Sequence, residues 1–275
     1  MPRPQRSVPV GDTDPFEPDR LRPVRVRSRT MAADAHFDPH RHPWAQIAYC
    51  ATGIVQVSAA VPDSATGEVT YIVPPSRAVW IAPGAVHSVH VLEQAEFRTL
   101  YLDASVTPPG WTGCRVLVVS PLLRELVPAL DTPGLSTARE QLLTDVVLDE
   151  LRSAATQELG VPLPPATTGD KRLRALCEAV LRAPAERATL AQWAADVGAS
   201  ERTMARLFRE QLGTSYQQWR QQAVLAHALP LLARGMPVSH VAAISGYASD
   251  SAFTAMFKAA MGQPPSQFQG RGAAP

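Results

Sequence analysis

The spacing of apolar and polar residues changes along the chain, and each change predicts a different kind of structure. From His36 to Leu102 the runs are short and alternating, as in Gln46-Ile-Ala-Tyr-Cys50, Ile54-Val-Gln-Val-Ser58, Val69-Thr-Tyr-Ile-Val73, Ala78-Val-Trp-Ile81 and Phe97-Arg-Thr-Leu-Tyr101, with Gly and Pro between them. Side chains two apart share a face of a strand, so closely spaced runs of this kind predict a β-sandwich or barrel. Over 120–131 and 136–158 the spacing turns helical, through Leu122, Leu123, Leu126 and Val127, then Leu142, Leu143, Val146, Val147 and Leu151. Such stripes must be covered, either by packing against the barrel or by a second subunit. The Pro-rich stretch Gly160-Val-Pro-Leu-Pro-Pro-Ala-Thr-Thr-Gly169 reads as a linker, and no strand pattern follows it. Residues 1–30 are rich in Pro and Arg without sustained periodicity and are expected to form a flexible tail. The expected organisation is α+β with two domains: a tail over 1–30, a β-barrel domain with flanking helices over 31–160, a linker over 161–170 and an all-α domain over 171–271.

Composition and charge refine this picture. With 275 residues, 45% hydrophobic and 19% charged, the chain has the make-up of a globular protein. No apolar run approaches the roughly 18 residues of a membrane span, and Met1-Pro-Arg-Pro-Gln-Arg6 has no apolar stretch behind its charges. A cytoplasmic protein with no membrane partner is therefore expected. Cys50, Cys114 and Cys177 are odd in number and lack any CxxC pair, which argues against disulfides and thiolate zinc. Residues 1–169 carry 14 Lys+Arg and 18 Asp+Glu, a balance of −4, whereas residues 170–275 carry 12 and 7, a balance of +5. The helical half is the one suited to a phosphate backbone.

Within that half, Thr189-Leu-Ala-Gln-Trp-Ala-Ala-Asp-Val197 has the composition of a short helix capped by Thr189 and stopped at Gly198. Ala199-Ser200 completes the turn, and Ser200 caps a second helix from Glu201 to Leu212. On it Met204, Leu207 and Phe208 share one face, while Arg202, Thr203, Arg206 and Arg209 point elsewhere. A basic helix face of this kind suits the major groove, with N-terminal residues at base edges and further Arg on phosphates. About fifty residues later the pattern returns. Val238 to Ser245 is a short helix, Gly246-Tyr-Ala-Ser-Asp250 a turn, and Ser251 to Met261 a second helix with Phe253 and Phe257 in the core and Asp250, Ser251, Thr254 and Lys258 outside. Between the units, Tyr216 to Leu232 forms one long helix that sets their spacing.

The run Leu190-Ala…Gly198-Ala-Ser200-Glu-Arg-Thr-Met-Ala-Arg-Leu-Phe-Arg…Gly213, with Val241-Ala…Gly246-Tyr…Ser251-Ala-Phe-Thr-Ala-Met-Phe-Lys…Gly262-Gln-Pro-Pro-Ser-Gln-Phe268, closely resembles the DNA-binding domain of AraC/XylS regulators. The resemblance covers roughly 100 residues. It implies seven helices, two recognition helices in successive major grooves of promoter DNA, and contacts from Arg202, Thr203, Arg206, Ser251 and Thr254. With their neighbours Ser200, Glu201, Arg209, Asp250 and Lys258, these form the candidate DNA surface. It further implies a homodimer and RNA polymerase as a partner. Tyr247 replaces a usual Phe, and Gln269 stands where an Arg often follows the terminal aromatic, which puts one phosphate contact in doubt.

In the β-rich half, His40-Arg-His42 is followed by Gln46, and Pro83-Gly-Ala-Val-His87 adds a further imidazole after a turn. Residues i and i+2 of a strand share a face, so His40 and His42 are expected to look into the barrel together. The set His40, His42, Gln46 and His87 resembles the two cupin motifs, in which His, His, Glu and His bind a divalent metal, with Gln46 in place of the Glu. Two readings stand: a bound divalent metal, or a metal-free pocket for a small-molecule effector lined by Trp44, Tyr49, Trp80 and Tyr101. With no carboxylate at Gln46 and no nucleophile-base pairing, no enzyme is expected. The segment is also similar to cupin-sensing AraC regulators that control nearby transporter genes. The expected function is that of a transcription regulator, activator or repressor, responding to a metal or small molecule.

Overall fold

The computed structural model describes residues 6–9, 13–60, 68–75, 77–157, 159–165, 168–186 and 189–269. Of the expected tail, residues 1–5 and 10–12 lie outside them, as do residues 270–275. The chain divides into two compact units, the first made of residues 1–62 and 71–159 and the second of residues 63–70 and 160–275.

The first unit is β-rich. Its strands are β1 (Arg6–Ser7), β2 (Val24–Met31), β3 (Ala35–His40), β4 (Ala45–Thr52), β5 (Val55–Ala60), β6 (Glu68–Val73), β7 (Arg77–Ile81), β8 (His87–Val91), β9 (Ala95–Leu102), β10 (Cys114–Val118) and β11 (Thr156–Gln157). One sheet runs in the order β1-β3-β8-β5-β6 and the other in the order β11-β10-β7-β4-β9-β2. Two helices follow, α1 (Pro121–Leu130), capped by Ser120, and α2 (Thr137–Ser153), capped by Ser136.

The parity of the second sheet organises this unit. Val24, Val26, Ala45, Ile47, Tyr49, Ala78, Trp80, Leu100, Leu102 and Leu117 form one buried cluster with Leu123, Leu126, Val127 and Leu130 of α1 and Leu143, Val147, Leu148 and Leu151 of α2. The opposite face presents Gln46, Ala48 and Cys50 beside Tyr101, Thr99 and Phe97, in direct register, and Phe97 meets Phe37 of the first sheet with ring centroids 6.3 Å apart. Each fully buried large aliphatic chain contributes about 1.5–3 kcal/mol, so the helix-covered face is the main stabilising layer. Of the two coverings expected for the helical stripes, the intramolecular one accounts for most residues. Leu122, Leu142 and Val146 stay exposed.

Three sequence expectations need correction here. Residues 24–31 fall largely in the expected tail but form β2, paired with β9 from Val24↔Leu102 to Met31↔Ala95; the Arg-rich composition hid an alternation in which Val24 and Val26 take the helix side. The helix expected over 136–158 stops at Ser153, because the chain turns extended at Ala154 and Thr156–Gln157 pairs with β10. The expected linker opens with a strand, β12 (Gly160–Leu163), whose Val161 and Leu163 are buried with the helices of the second unit.

The second unit contains α3 (Lys171–Arg182), α4 (Leu190–Asp196), α5 (Glu201–Leu212), α6 (Tyr216–Ala233), α7 (Val238–Ile244), α8 (Asp250–Met261) and a closing 3-10 turn at Pro265–Phe268. Its core gathers Leu173, Leu176, Trp193, Met204, Phe208 and Trp219, with the indole of Trp219 donating to the Pro162 carbonyl at 2.7 Å. Capping boxes start α4 (Thr189 with Gln192) and α6 (Ser215 with Gln218), satisfying backbone donors that a helix leaves open. α8 begins one residue earlier than expected, with Ser249 as its cap.

Two turn glycines separate conformational from steric demand. Gly198 (φ +69°) has open space where a Cβ would stand, whereas at Gly246 (φ +81°) a Cβ would meet Nη2 of Arg220 at 2.9 Å and Cα of Ala185 at 3.2 Å. Gly198→Ala should therefore cost about 1–2 kcal/mol, the left-handed backbone penalty alone, and Gly246→Ala about 2–4 kcal/mol once crowding is added. Urea unfolding of both variants checks this, and equal losses would refute the crowding at Arg220.

Candidate functional site

Both helices expected to read DNA arise from local rules. In α5 the buried residues Met204, Leu207, Phe208 and Leu212 hold one face down, which leaves Arg202, Arg206 and Arg209 exposed on the other. The Ser200 hydroxyl accepts from the Thr203 amide at 3.2 Å and hydrogen-bonds the Thr203 hydroxyl at 2.9 Å, so both side chains are engaged in the cap. Arg206 pairs with Glu210 at 2.6 Å, an exposed i,i+4 bridge worth only about 0.3–0.5 kcal/mol, which a phosphate or guanine edge can displace.

In α8, Phe253, Phe257 and Met261 are buried and Asp250, Ser251 and Lys258 are exposed, with Thr254 half-buried. Its outer face also carries Ala252, Ala255 and Ala259, so the second helix offers small apolar groups where the first offers guanidiniums. Within the second unit, α6 ties the segment before α4 to the end of α7: Nη2 of Arg220 donates to the carbonyls of Pro184 at 3.2 Å and Ser245 at 3.4 Å. Gln269 donates to the Met236 carbonyl at 3.0 Å, so it serves a structural contact within the domain. Tyr247 packs edge-on against Phe253, 5.5 Å between centroids, filling the place of the usual Phe.

The β-rich unit brings three of its imidazoles together. His40, His42 and His87 place one ring nitrogen each within 4.8 Å of one another. The convergence does not come from one strand face, as i, i+2 spacing suggests. His40 ends β3 opposite His87, after a register shift between Phe37 and His40, while His42 lies in the connection to β4. There the Gly84 amide donates to the His42 carbonyl at 2.7 Å, fixing the loop. Nδ1 of His40 donates to the Asp38 carbonyl at 2.7 Å, and Nδ1 of His87 to the Ala85 carbonyl at 2.9 Å. A carbonyl only accepts, so Nδ1 carries the proton and each Nε2 keeps a lone pair, the arrangement of a metal-ligating histidine.

Nε2 of His42, Nε2 of His87 and Oε1 of Gln46 are buried without a hydrogen-bond partner among the described residues. His87 and Gln46 are 2% and 4% exposed. Orphaned acceptors at such depth cost about 1–3 kcal/mol each, which a cation at their centre would relieve. Three imidazoles and an amide oxygen suit zinc, nickel, copper or iron, and the residues therefore fit a divalent metal. Burial above all, with neighbouring His40 and Arg27 assisting, lowers His42 to about 4. Burial likewise lowers His87 to about 4 against the raising effect of the Ala85 carbonyl. Both are neutral, ligand-ready bases at pH 7.

Of the four aromatic residues expected to line a pocket, Trp44 stacks on His42 at 5.5 Å with planes 7° apart, and Tyr101 stands edge-on to His42 at 5.4 Å. Tyr49 and Trp80 belong to the opposite face, buried under α1 and α2. Odd and even positions of β4 face opposite ways, and Tyr49 has the parity of Ile47, not of Gln46. Arg27 and Arg29, which line a crevice with His40, Gln46, Thr99 and Tyr101, were missed. Their signal was the alternation Val24-Arg-Val-Arg-Ser-Arg. A separate cavity of about 230 Å³ lies between β2 and the α1–α2 connection. Its lining holds Arg22 and Arg25 against Asp131 and Glu140, with Arg22 paired to Glu140 at 2.6 Å and Asp131 accepting from Ser28, so its formal charges balance.

Comparison with known proteins agrees with both halves. The family described as AraC-like ligand binding domain matches residues 22–159, and the helix-turn-helix domain family matches residues 193–271. HTH-type transcriptional regulator NimR of Escherichia coli is 34% identical over 255 residues, covering 86% of this chain and 91% of its own. The chain belongs to the AraC family of transcription regulators. It is a DNA-binding regulator with a ligand-binding domain, not an enzyme. HTH-type transcriptional regulator RipA of Corynebacterium glutamicum is 33% identical over 108 residues, 39% of this AraC-family chain and 32% of RipA. Among solved structures, ToxT from Vibrio cholerae aligns with a TM-score of 0.37 at 12% identity, covering 90% of this chain and 97% of its own. No helix among the described residues is long and apolar enough to cross a membrane.

The lowered imidazoles set a pH dependence. An unfolded histidine protonates near pH 6.5, but folded His42 and His87 resist protonation down to about 4. Between these values the unfolded chain binds more protons, so stability falls as pH drops through this window. Thermal melts of chelator-treated protein from pH 7.5 to 5 should show that decline, with a shallower slope in His87→Gln.

Proposed function

We propose that this AraC-family protein is a cytoplasmic, sequence-specific regulator in which a divalent transition metal at His40, His42, His87 and Gln46 is the sensed signal or holds the sensed molecule. The observation that carries this reading is the triple-imidazole cluster, with Nδ1 of His40 and of His87 committed to backbone carbonyls and Nε2 of His42 and His87 buried and unpartnered among the described residues. Trp44 and Tyr101 stand beside it as the aromatic wall. The sensing half corresponds to the β-rich unit, β2 included, and the DNA-reading half to the helices from Lys171 onward. In this reading α5 supplies direct readout: Arg202 reaches a base edge and Arg206 and Arg209 hold phosphate or guanine, with Ser200, Glu201 and Thr203 setting the helix start. α8 contributes Ser251, Thr254 and Lys258, with Asp250 at its first turn. A small apolar helix face suits thymine methyl groups, which gives the two helices different parts in readout. The regulator acts as activator or repressor of a neighbouring transporter gene, with RNA polymerase as a further partner.

A homodimer is proposed through α2, where Leu142 and Val146, one turn apart, are 61% and 41% exposed. Leu142→Glu with Val146→Glu should reduce the mass in sedimentation from two chains to one at micromolar concentration. A wild-type monomer both free and on DNA would overturn the dimer.

Fluorescence anisotropy with the DNA upstream of the protein's own neighbouring gene, against scrambled DNA, tests the main reading with and without Zn²⁺ or Ni²⁺. A preference of at least tenfold, altered by metal in wild type but not in His87→Ala, is expected. Equal affinity for both DNAs would overturn sequence-specific regulation, and an identical metal response in His87→Ala would overturn the sensing site. Arg202→Ala should cost about 1–3 kcal/mol and relax preference at one base pair, whereas Arg209→Ala should reduce the salt slope by about 1 across all sequences.

A further inference from the structure

Three segments of the second unit meet at one guanidinium. Arg220 stands half-buried on α6, and its Nη2 donates both to the Pro184 carbonyl, in the connection that leads into α4, and to the carbonyl of Ser245, the C-terminal cap of α7. The entry to the first helix-turn-helix unit and the turn of the second are thus fastened to the same nitrogen. Gly246 closes the joint from the other side. A Cβ there would stand 2.9 Å from that Nη2 and 3.2 Å from Cα of Ala185, so the backbones of the two segments approach with room for no side chain between them.

From Arg220 the contacts run on to both helices expected to read DNA. One turn earlier on the same face of α6, Tyr216 packs edge-on against Phe208 of α5 with 5.3 Å between centroids. Next to Gly246, Tyr247 packs against Phe253 of α8 at 5.5 Å. Phe208 and Phe253 are both fully buried, and each belongs to the inner face of its helix. The guanidinium acts on both phenols. Burial pushes Tyr216 up to about 12 and raises Tyr247, and in each case Arg220 opposes the rise.

A charged donor on backbone carbonyls makes a directional contact, and the planar guanidinium leaves little freedom to the segments it joins. α5 and α8 are therefore held as one pair, not as two readers on a pliant strap. Helices seated in successive major grooves must match one helical repeat of DNA, about 34 Å. A stiff joint selects an operator by the separation of its halves as well as by its bases.

We propose that Arg220 is a positioning residue that sets which spacing of operator halves this protein accepts, acting through Pro184, Ser245 and Tyr247 and not through a base contact. This inference rests on the reading that α5 and α8 both enter the major groove.

The test uses the full-length protein and the DNA upstream of its own neighbouring gene, on which hydroxyl-radical footprinting locates the two protected halves. Inserting one base pair between them moves the halves apart by about 3.4 Å and turns them by about 34°. Fluorescence anisotropy then gives the ratio of affinities for native and widened DNA. Wild type should lose about tenfold on insertion, comparable to one mismatched base pair. In Arg220→Met, which keeps the stem and removes the donors, the loss should shrink to about threefold. Arg220→Lys should lie between the two, and Gly246→Ala, which presses on the same joint, should also reduce the loss. A variant that had merely lost stability would leave the ratio unmoved, because both affinities come from the same folded fraction. Circular dichroism verifies folding, and if Arg220→Met is unfolded, Arg220→Lys and Gly246→Ala carry the comparison. A ratio equal to wild type in the folded variants, or a wild type indifferent to the insertion, would overturn the positioning role. A single protected half, or native-DNA affinity untouched by Lys258→Ala, would instead overturn the reading that both helices enter the groove, and the proposal with it.

Discussion

The first unit depends on a sheet that is buried on both faces. Because strand side chains alternate, each of β2, β4, β7 and β9 must supply one set of residues to the layer beneath α1 and α2 and another to the space shared with the first sheet. Ile47, Tyr49, Trp80 and Leu100 belong to the first set, and Gln46, Thr99 and Tyr101 to the second. The apolar layer supplies the stability that lets the other face retain unpaired imidazole nitrogens and an unsatisfied amide. A site with several orphaned acceptors exists only where packing elsewhere offsets its cost.

The same two-sidedness explains what the sequence disclosed in this half. His40, His42, Gln46 and His87 were legible because histidine spacing and flanking Pro and Gly survive in the linear string. Which aromatic residues stand near them was not legible. A strand buried on both faces lacks the polar alternation that marks an outer side, so Tyr49 and Tyr101 look alike until register assigns them. Arg27 and Arg29 were lost for the opposite reason, since an Arg-rich, Pro-flanked N-terminal segment has the composition of a tail although it contains a central pattern of Val24 and Val26.

The helical half was more transparent because its determinants are local. Ser200, Thr189 and Ser215 cap within three residues of themselves, and the glycines mark turns without reference to distant chain. Met204, Leu207 and Phe208 fall on one face by helical period alone. What escaped was long-range: the bond from Trp219 to Pro162, which makes part of the expected linker a docked strand, and the Arg220 bridge between Pro184 and Ser245. Neither partner carries a local mark of the other. Side-chain bonds to backbone carbonyls have no sequence code at the accepting end.

Strand β2 joins these themes. Its Ser28 donates to Asp131 at the end of α1, while Arg27 and Arg29, one residue to either side, border the histidine crevice. A strand is inextensible along its length, so a displacement of the arginines is transmitted to Ser28 within a single peptide unit. Occupancy of the crevice and the seating of α1 thus share one mechanical element, no longer than three residues. The coupling needs no chain of relays across the domain, only a backbone that has two sides.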